Sequence, residues 1–174
     1  HMGLLAGVVF TATRLVLLLP RHTRHNWPGK KIAAGVALVA FSPVGRGYLA
    51  DSITDPEQLP PKDIRRAMPR FQPEHWAANA ALLPAWRALA AEAGRTPAQL
   101  ALAWLLSRGD HVVPIPGSTD AHHVRENQRS LGTVVDPAVL VRAGELIDTA
   151  TVSGPRYNAT GTSEVDAESF EAAV

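Results

Sequence analysis

Residues 36–49 read VALVAFSPVGRGYL, and residues 96–127 read TPAQLALAWLLSRGDHVVPIPGSTDAHHVREN. Each stretch places a short β-rich run directly before a polar, glycine-containing loop. Val36 to Phe41 is a continuous apolar run with β-branched members, which predicts a parallel strand buried on both faces. His111 to Pro116 predicts a second short strand. Thr96-Pro97-Ala98-Gln99 is a capping box with proline at the first helical position. It opens a helix through Ser107, which Gly109 ends. Asp120 can cap a further helix over roughly 121–130.

Working outward, Asn79 is positioned to cap a helix running to about Ala93. Leu82, Leu83, Trp86, Leu89 and Ala90 would share its buried face, with Gly94 as the stop. Asp136-Pro137 starts a last helix to about Ala150, burying Val139, Leu140, Ala143, Leu146 and Ile147. Residues 50–78 are rich in proline and charge and read as a long loop with short helical turns, a length that is often functional. From Thr151 onward the chain reads as a loose polar tail.

Residues 4–19 are the most apolar stretch, but they carry Arg14 and fall short of the about 20 residues a membrane span needs. No basic region precedes them, as a secretory signal would require. They read as one or two buried strands or a core helix rather than a membrane anchor. Residues 20–35 form a basic connector, and His1-Met2 is read as a cloning scar.

The 174 residues suffice for one domain with a real core. A 46% hydrophobic and 19% charged composition fits a soluble globular chain rather than a disordered one. The net charge of +1 argues against a general nucleic-acid binder, which would need a concentrated basic face. Without cysteine there is neither a disulfide framework nor thiolate chemistry, and a cytoplasmic location is expected.

Chemistry can reside in the loop Ser42-Pro43-Val44-Gly45-Arg46-Gly47, at the carboxyl end of its strand, where ligands of α/β sheets bind. Its glycines allow close backbone approach, and Arg46 offers a fork of donors suited to phosphate. By composition alone it reads more readily as a plain turn, as most glycine-rich loops are. Gly117-Ser118-Thr119-Asp120 stands between a strand and a helix start, a place ready for an anion, though by its residues alone it reads more readily as a plain loop with an N-cap. Asp120 favours the helix and opposes a phosphate. His22 and His25, and the adjacent His122-His123, lack the acidic or cysteine companions of a zinc site, so surface histidines are expected and no metal.

Taken together, FSPVGRG and PIPGS…HVREN resemble the last two strand–loop units of an aldo-keto reductase. PRFQ at Pro69–Gln72 and GPRY at Gly154–Tyr157 add landmarks similar to that family's. The resemblance covers residues 36–157, with 3–35 unlike the family and 158–174 a polar tail. It implies a NADPH-dependent carbonyl oxidoreductase built on a (β/α)8 barrel. Such a barrel needs about 250 residues or at least about 200. The expected fold is therefore a partial barrel of the α/β class, mostly helical, with two parallel strands and an N-terminal strand segment.

By the same resemblance, Phe41 stacks on the nicotinamide ring, Ser42, Val44 and Arg46 wrap the pyrophosphate, and Gly45 and Gly117 belong to the same cofactor site. Ser118 and Thr119 meet the 2′-phosphate of the adenosine ribose, and Glu126 and Asn127 hold the adenine. His123 stands where the family often has an arginine and Gly117 where it often has a lysine, which weakens the preference for NADP over NAD. The family's Asp-Tyr-Lys-His tetrad comes from early strands, upstream of the matching region. Tyr48 and Tyr157 align with other positions, and Lys30, Lys31 and Lys62 have no strand-end setting. No catalytic residue is therefore expected. Residues 3–34 have the composition of a shifted reading frame, which suggests a truncated or frameshifted remnant; a natural short paralogue is the competing account. The expected protein binds nicotinamide dinucleotide, NADP, weakly or vestigially, associates with itself, and binds neither nucleic acid nor membrane. The alternative is a non-enzymatic binding or assembly module on the same scaffold.

Overall fold

The computed structural model describes residues 37–132 and 134–164. Two short strands, β1 (Leu38–Phe41) and β2 (Val112–Ile115), lie side by side and parallel. Among the described residues six α-helices accompany them. They are α1 (Pro73–Ala80), α2 (Leu83–Glu92), α3 (Pro97–Leu106), α4 (Ala121–Gln128), α5 (Pro137–Leu146) and α6 (Ala159–Glu164). Short 3-10 turns at Pro56–Gln58, Ile64–Ala67 and Pro69–Phe71 carry the chain between β1 and α1, as the proline-rich composition of 50–78 predicts. The apolar and basic segments before residue 36, and the end of the tail from 165, lie outside the described residues.

Helix α3 is the centre of the packing. Its sequence PAQLALAWLL buries every residue from Ala98 to Ala103, and a helix apolar all round belongs inside its domain. It is flanked by α2, α4, α5 and β2. Trp86, Leu100 and Val139, from α2, α3 and α5, are the largest fully buried side chains. Burying a side chain of Leu size contributes about 1.5–3 kcal/mol, so these three tie the helices into one core. Gly144 allows the closest approach within it, since a Cβ there would stand 2.9 Å from Trp104 Nε1.

Helix ends follow the local signals. Thr96 and Gln99 form the full capping box, and Asp120 and Asp136 accept from the N–H groups of His122 and Ala138 at 2.7 and 2.8 Å. After α2 the N–H groups of Gly94 and Arg95 return to the carbonyls of Ala91 and Ala90, both at 2.9 Å, with Gly94 at φ +63°. That is the paired closure in which glycine supplies the left-handed residue.

Four expectations are corrected. Asn79 caps nothing: it lies inside α1, 2% exposed, and α2 starts after Leu82 instead. The strand pair is not buried on both faces, because Val39, Phe41, Val113 and Ile115 are 43–50% exposed. Only two strands are described, α3 packs against β2, and one apolar face is left open to solvent among the described residues. Helix α5 stops at Leu146, with Val139 and Ala143 buried and Leu140, Leu146 and Ile147 half-buried. Asp148 draws the chain aside by accepting from the N–H groups of Ala150 and Thr151. Residues 152–157 are not a loose tail either: they dock onto α1, and α6 follows them.

Candidate functional site

Parallel strands release their chains at the same sheet edge, so the loops after Phe41 and Ile115 leave β1 and β2 on one side. In parallel α/β sheets ligands bind at this carboxyl edge.

The first loop has a strained backbone. Ser42, Gly45, Arg46 and Gly47 have φ of +50°, +59°, +56° and +95°. A left-handed conformation costs a non-glycine residue roughly 1–2 kcal/mol, so Ser42 and Arg46 need support from their surroundings. Internal bonds supply part of it: Gly45 N–H donates to Ser42 O at 2.9 Å, and the N–H groups of Gly47 and Leu49 share Val44 O at 3.1 Å. Pro43 is buried, and Val44 and Leu49 pack against the helical core. Trp86 Nε1 donates to Leu49 O at 3.0 Å.

External braces complete the support. Arg65 Nη1 donates to Arg46 O at 3.0 Å, while the rest of its fork grips Asp63 through Nε at 2.9 Å and Nη2 at 2.7 Å. The Arg65 hydrogen bonds hold the Asp63 carboxyl down at about 2. Gly47 is required where it stands, since a Cβ would meet Ser52 Oγ at 2.5 Å. Behind the loop, Tyr48 donates to Asn79 O at 2.5 Å, and burial pushes its hydroxyl up to about 12. A general acid working near neutral pH needs the opposite shift.

Asn79 is the hub that the sequence did not reveal. Its Nδ2 donates to Arg70 O at 3.0 Å and Ser153 O at 3.1 Å, and its Oδ1 accepts from Ser153 N–H at 2.8 Å. Arg70 Nε reaches Gly154 O at 3.0 Å, and His75 Nδ1 lies 2.9 Å from Ser153 Oγ. This anchors the GPRY segment, which returns to the strand end: the Arg156 guanidinium lies 5.9 Å from the Phe41 ring centroid. Phe41 itself is half-exposed.

The second loop is open. Gly117, Ser118, Thr119 and Asp120 are all exposed. Ser118 Oγ accepts from Asp120 N–H at 3.1 Å and donates to Asp120 O at 3.2 Å, and the Asp120 carboxylate occupies the His122 N–H. A phosphate there would have to be met by the hydroxyls of Ser118 and Thr119 and by His123, because a carboxylate already covers the helix end. Glu126 and Asn127 stand half-buried on the second turn of α4, which Gln99 Nε2 ties to α3 through Glu126 O at 3.1 Å.

The structure supplies the acidic companion that the histidine pair was expected to lack. Donor atoms of His122, His123 and Glu126 all lie within 4.8 Å of one another. The legible signal was the spacing i, i+1, i+4 on a helix, which brings a carboxylate one turn later back to the imidazoles. A surface concavity of about 310 Å3 lined by Trp104, Arg108, Leu140, Val141, Gly144 and Glu145 lies between α3 and α5, and none of its lining residues belongs to either loop.

Among the described residues no helix is long and apolar enough to cross a membrane. The fold resembles the glycerol dehydrogenase AKR11B4 from Gluconobacter oxydans, with a TM-score of 0.64 and 18% identity. That likeness covers 78% of this chain and 41% of that one, as a part of a (β/α)8 barrel should. In sequence the chain is 36% identical over 122 residues to the aldo-keto reductase yakc (NADP(+)) of Schizosaccharomyces pombe, covering 70% of this chain and 36% of that protein. It is 36% identical over 123 residues to the probable aldo-keto reductase 1 of Glycine max, covering 71% and 35%. The chain thus spans about a third of the length of these relatives. The model of the aldo/keto reductase family matches residues 29–148, and this chain belongs to that family.

Proposed function

We propose that this chain carries the NADP(H)-binding end of an aldo-keto reductase and does not reduce carbonyls by itself. The observation that supports it is the braced, left-handed loop 42–47 on the same sheet edge as the open loop 117–120. The residues present fit a dinucleotide: an exposed aromatic face at the strand end, a cation beside a strained turn, and exposed hydroxyls before a helix. Phe41 would stack on the nicotinamide, and Ser42, Val44, Gly45 and Arg46 would hold the pyrophosphate. Gly117, Ser118, Thr119 and His123 would receive the 2′-phosphate, and Glu126 and Asn127 the adenine. Bound there, the dinucleotide would supply a transferable hydride.

In this reading the described residues supply no proton donor. Tyr48 is engaged by a backbone carbonyl with its acidity suppressed, and Lys62 stands exposed in the long loop. Cofactor affinity is expected to be weak, because two open loops enclose a ligand less than a full concave site does. The exposed face of Val39, Phe41, Val113 and Ile115 supports self-association, since contiguous apolar surface usually marks an interface. It equally favours the second reading, an assembly module on a reductase scaffold. The substrate class stays unassigned.

An NADPH fluorescence titration with a parallel aldehyde-reduction assay on the 174-residue chain is the test. We expect saturable binding, its loss in Ser118→Asp, where a second carboxylate joins Asp120, and no turnover. Turnover abolished by a substitution within this chain overturns the inactivity. Unchanged affinity in Ser118→Asp overturns the phosphate site. Absence of any binding favours the assembly module, for which light scattering at low micromolar concentration should report a dimer rather than a monomer.

A further inference from the structure

We propose that His122, His123 and Glu126 form a binding site for a first-row transition-metal dication, zinc(II) or copper(II), on the exposed face of α4. Two imidazoles and one carboxylate are a donor set that zinc takes with an open coordination position. Their donor atoms lie within 4.8 Å of one another. Zinc bonds of about 2.0–2.1 Å in a tetrahedron set donors roughly 3.3 Å apart, so no donor pair has to close by more than roughly 1.5 Å. Both imidazoles are exposed and Glu126 is half-buried, so the contraction requires side-chain rotation only.

The backbone beneath the ligands is fixed. Asp120 holds the first turn of α4 through the His122 N–H at 2.7 Å, and Gln99 holds the second through Glu126 O at 3.1 Å. Ligands on a fixed helical element need less ordering than ligands on a mobile loop. The imidazole rings stand 5.9 Å apart with planes at 70°, so they are not stacked face to face. One carboxylate leaves the bound dication with a net positive charge and positions for water. Imidazole ligation selects copper and zinc over magnesium, which demands an octahedron of oxygens.

His123 and Glu126 are also residues of the proposed adenosine pocket, and His122 is not. The overlap rests on the cofactor reading; the metal site does not. Metal and dinucleotide should therefore compete for this helix.

Calorimetric titration of zinc(II) into the chelator-treated 174-residue chain is the test, in a background of His22→Ala and His25→Ala that removes the other close pair. We expect one zinc event, roughly tenfold or more weaker in His122→Ala and in Glu126→Gln, and no magnesium heat. Circular dichroism should find both variants folded, since His122 is exposed and glutamine keeps the shape of Glu126. Isotherms that superimpose on the parent in both variants overturn the site. In a second arm, zinc should weaken NADPH binding in the parent and not in His122→Ala. Zinc binding that depends on His122 yet leaves NADPH affinity unchanged upholds the metal site and overturns the adenosine assignment.

Discussion

Loop 42–47 and loop 117–120 leave neighbouring strands at one edge of the same sheet, yet they are held by opposite means. The first is supported from outside, by Arg65, Trp86 and the Tyr48–Asn79 link, and carries two non-glycine residues in left-handed conformation. The second is held, among the described residues, by local bonds of Ser118 and Asp120, and is exposed throughout. Strain persists only where surrounding structure over-determines it, so the first loop depends on distant residues and the second does not. The first therefore behaves as part of the core, and the second as a surface cap that can adjust to a ligand.

That contrast can be broken at the hub. Asn79→Ala should destabilise the chain by about 2–4 kcal/mol, because it removes three buried hydrogen bonds, to the Arg70 and Ser153 carbonyls and from the Ser153 N–H. Urea unfolding measures it, and a loss below about 1 kcal/mol would show that water replaces the hub without difficulty. A smaller effect is expected at the loop itself. Gly47→Ala places a Cβ at φ +95° against Ser52 Oγ and should cost about 1–3 kcal/mol, with loss of the Arg65–Arg46 bond visible by NMR.

The second loop should respond more weakly. Asp120→Ala removes one exposed cap and should cost about 1 kcal/mol, with amide exchange accelerated in the first turn of α4 only. An effect on exchange around loop 42–47 would show that the two loops are coupled after all.

The smallest expected effect sharpens the comparison through pH. Asp63 is held near 2 in the folded chain by Arg65, against about 3.9 for a free aspartate. A depressed carboxyl stabilises the fold above its unfolded value and loses that contribution as pH falls from about 4 towards 2. The pair is partly screened by solvent, so the loss should stay below about 1 kcal/mol. Asp63→Asn should flatten that acid limb of the stability curve, and an unchanged limb would place the acid sensitivity elsewhere.

Much of the fold was legible. The capping box at Thr96, the caps at Asp120 and Asp136 and the stop at Gly94 all act within a few residues of themselves. Such signals need no tertiary context to be read. The strand–loop order was legible for the same reason, and with it the membership of the family. Asn79 misled because asparagine suits a cap by composition, while its actual partners in the Ser153 segment lie 74 residues away.

The residues that matter most to the candidate site divide along that line. Sequence determined which side chains stand on the two loops, since position after a strand fixes them. Only the tertiary structure decided that Arg65 and Asn79 hold the first loop, that Gly154 receives Arg70 across 84 residues, and that one sheet face stays open among the described residues. It also decided that the Glu126 carboxylate stands within 4.8 Å of a ring nitrogen of each histidine. Burial and long-range hydrogen bonds are properties of what surrounds a residue, and a linear pattern records only what precedes and follows it.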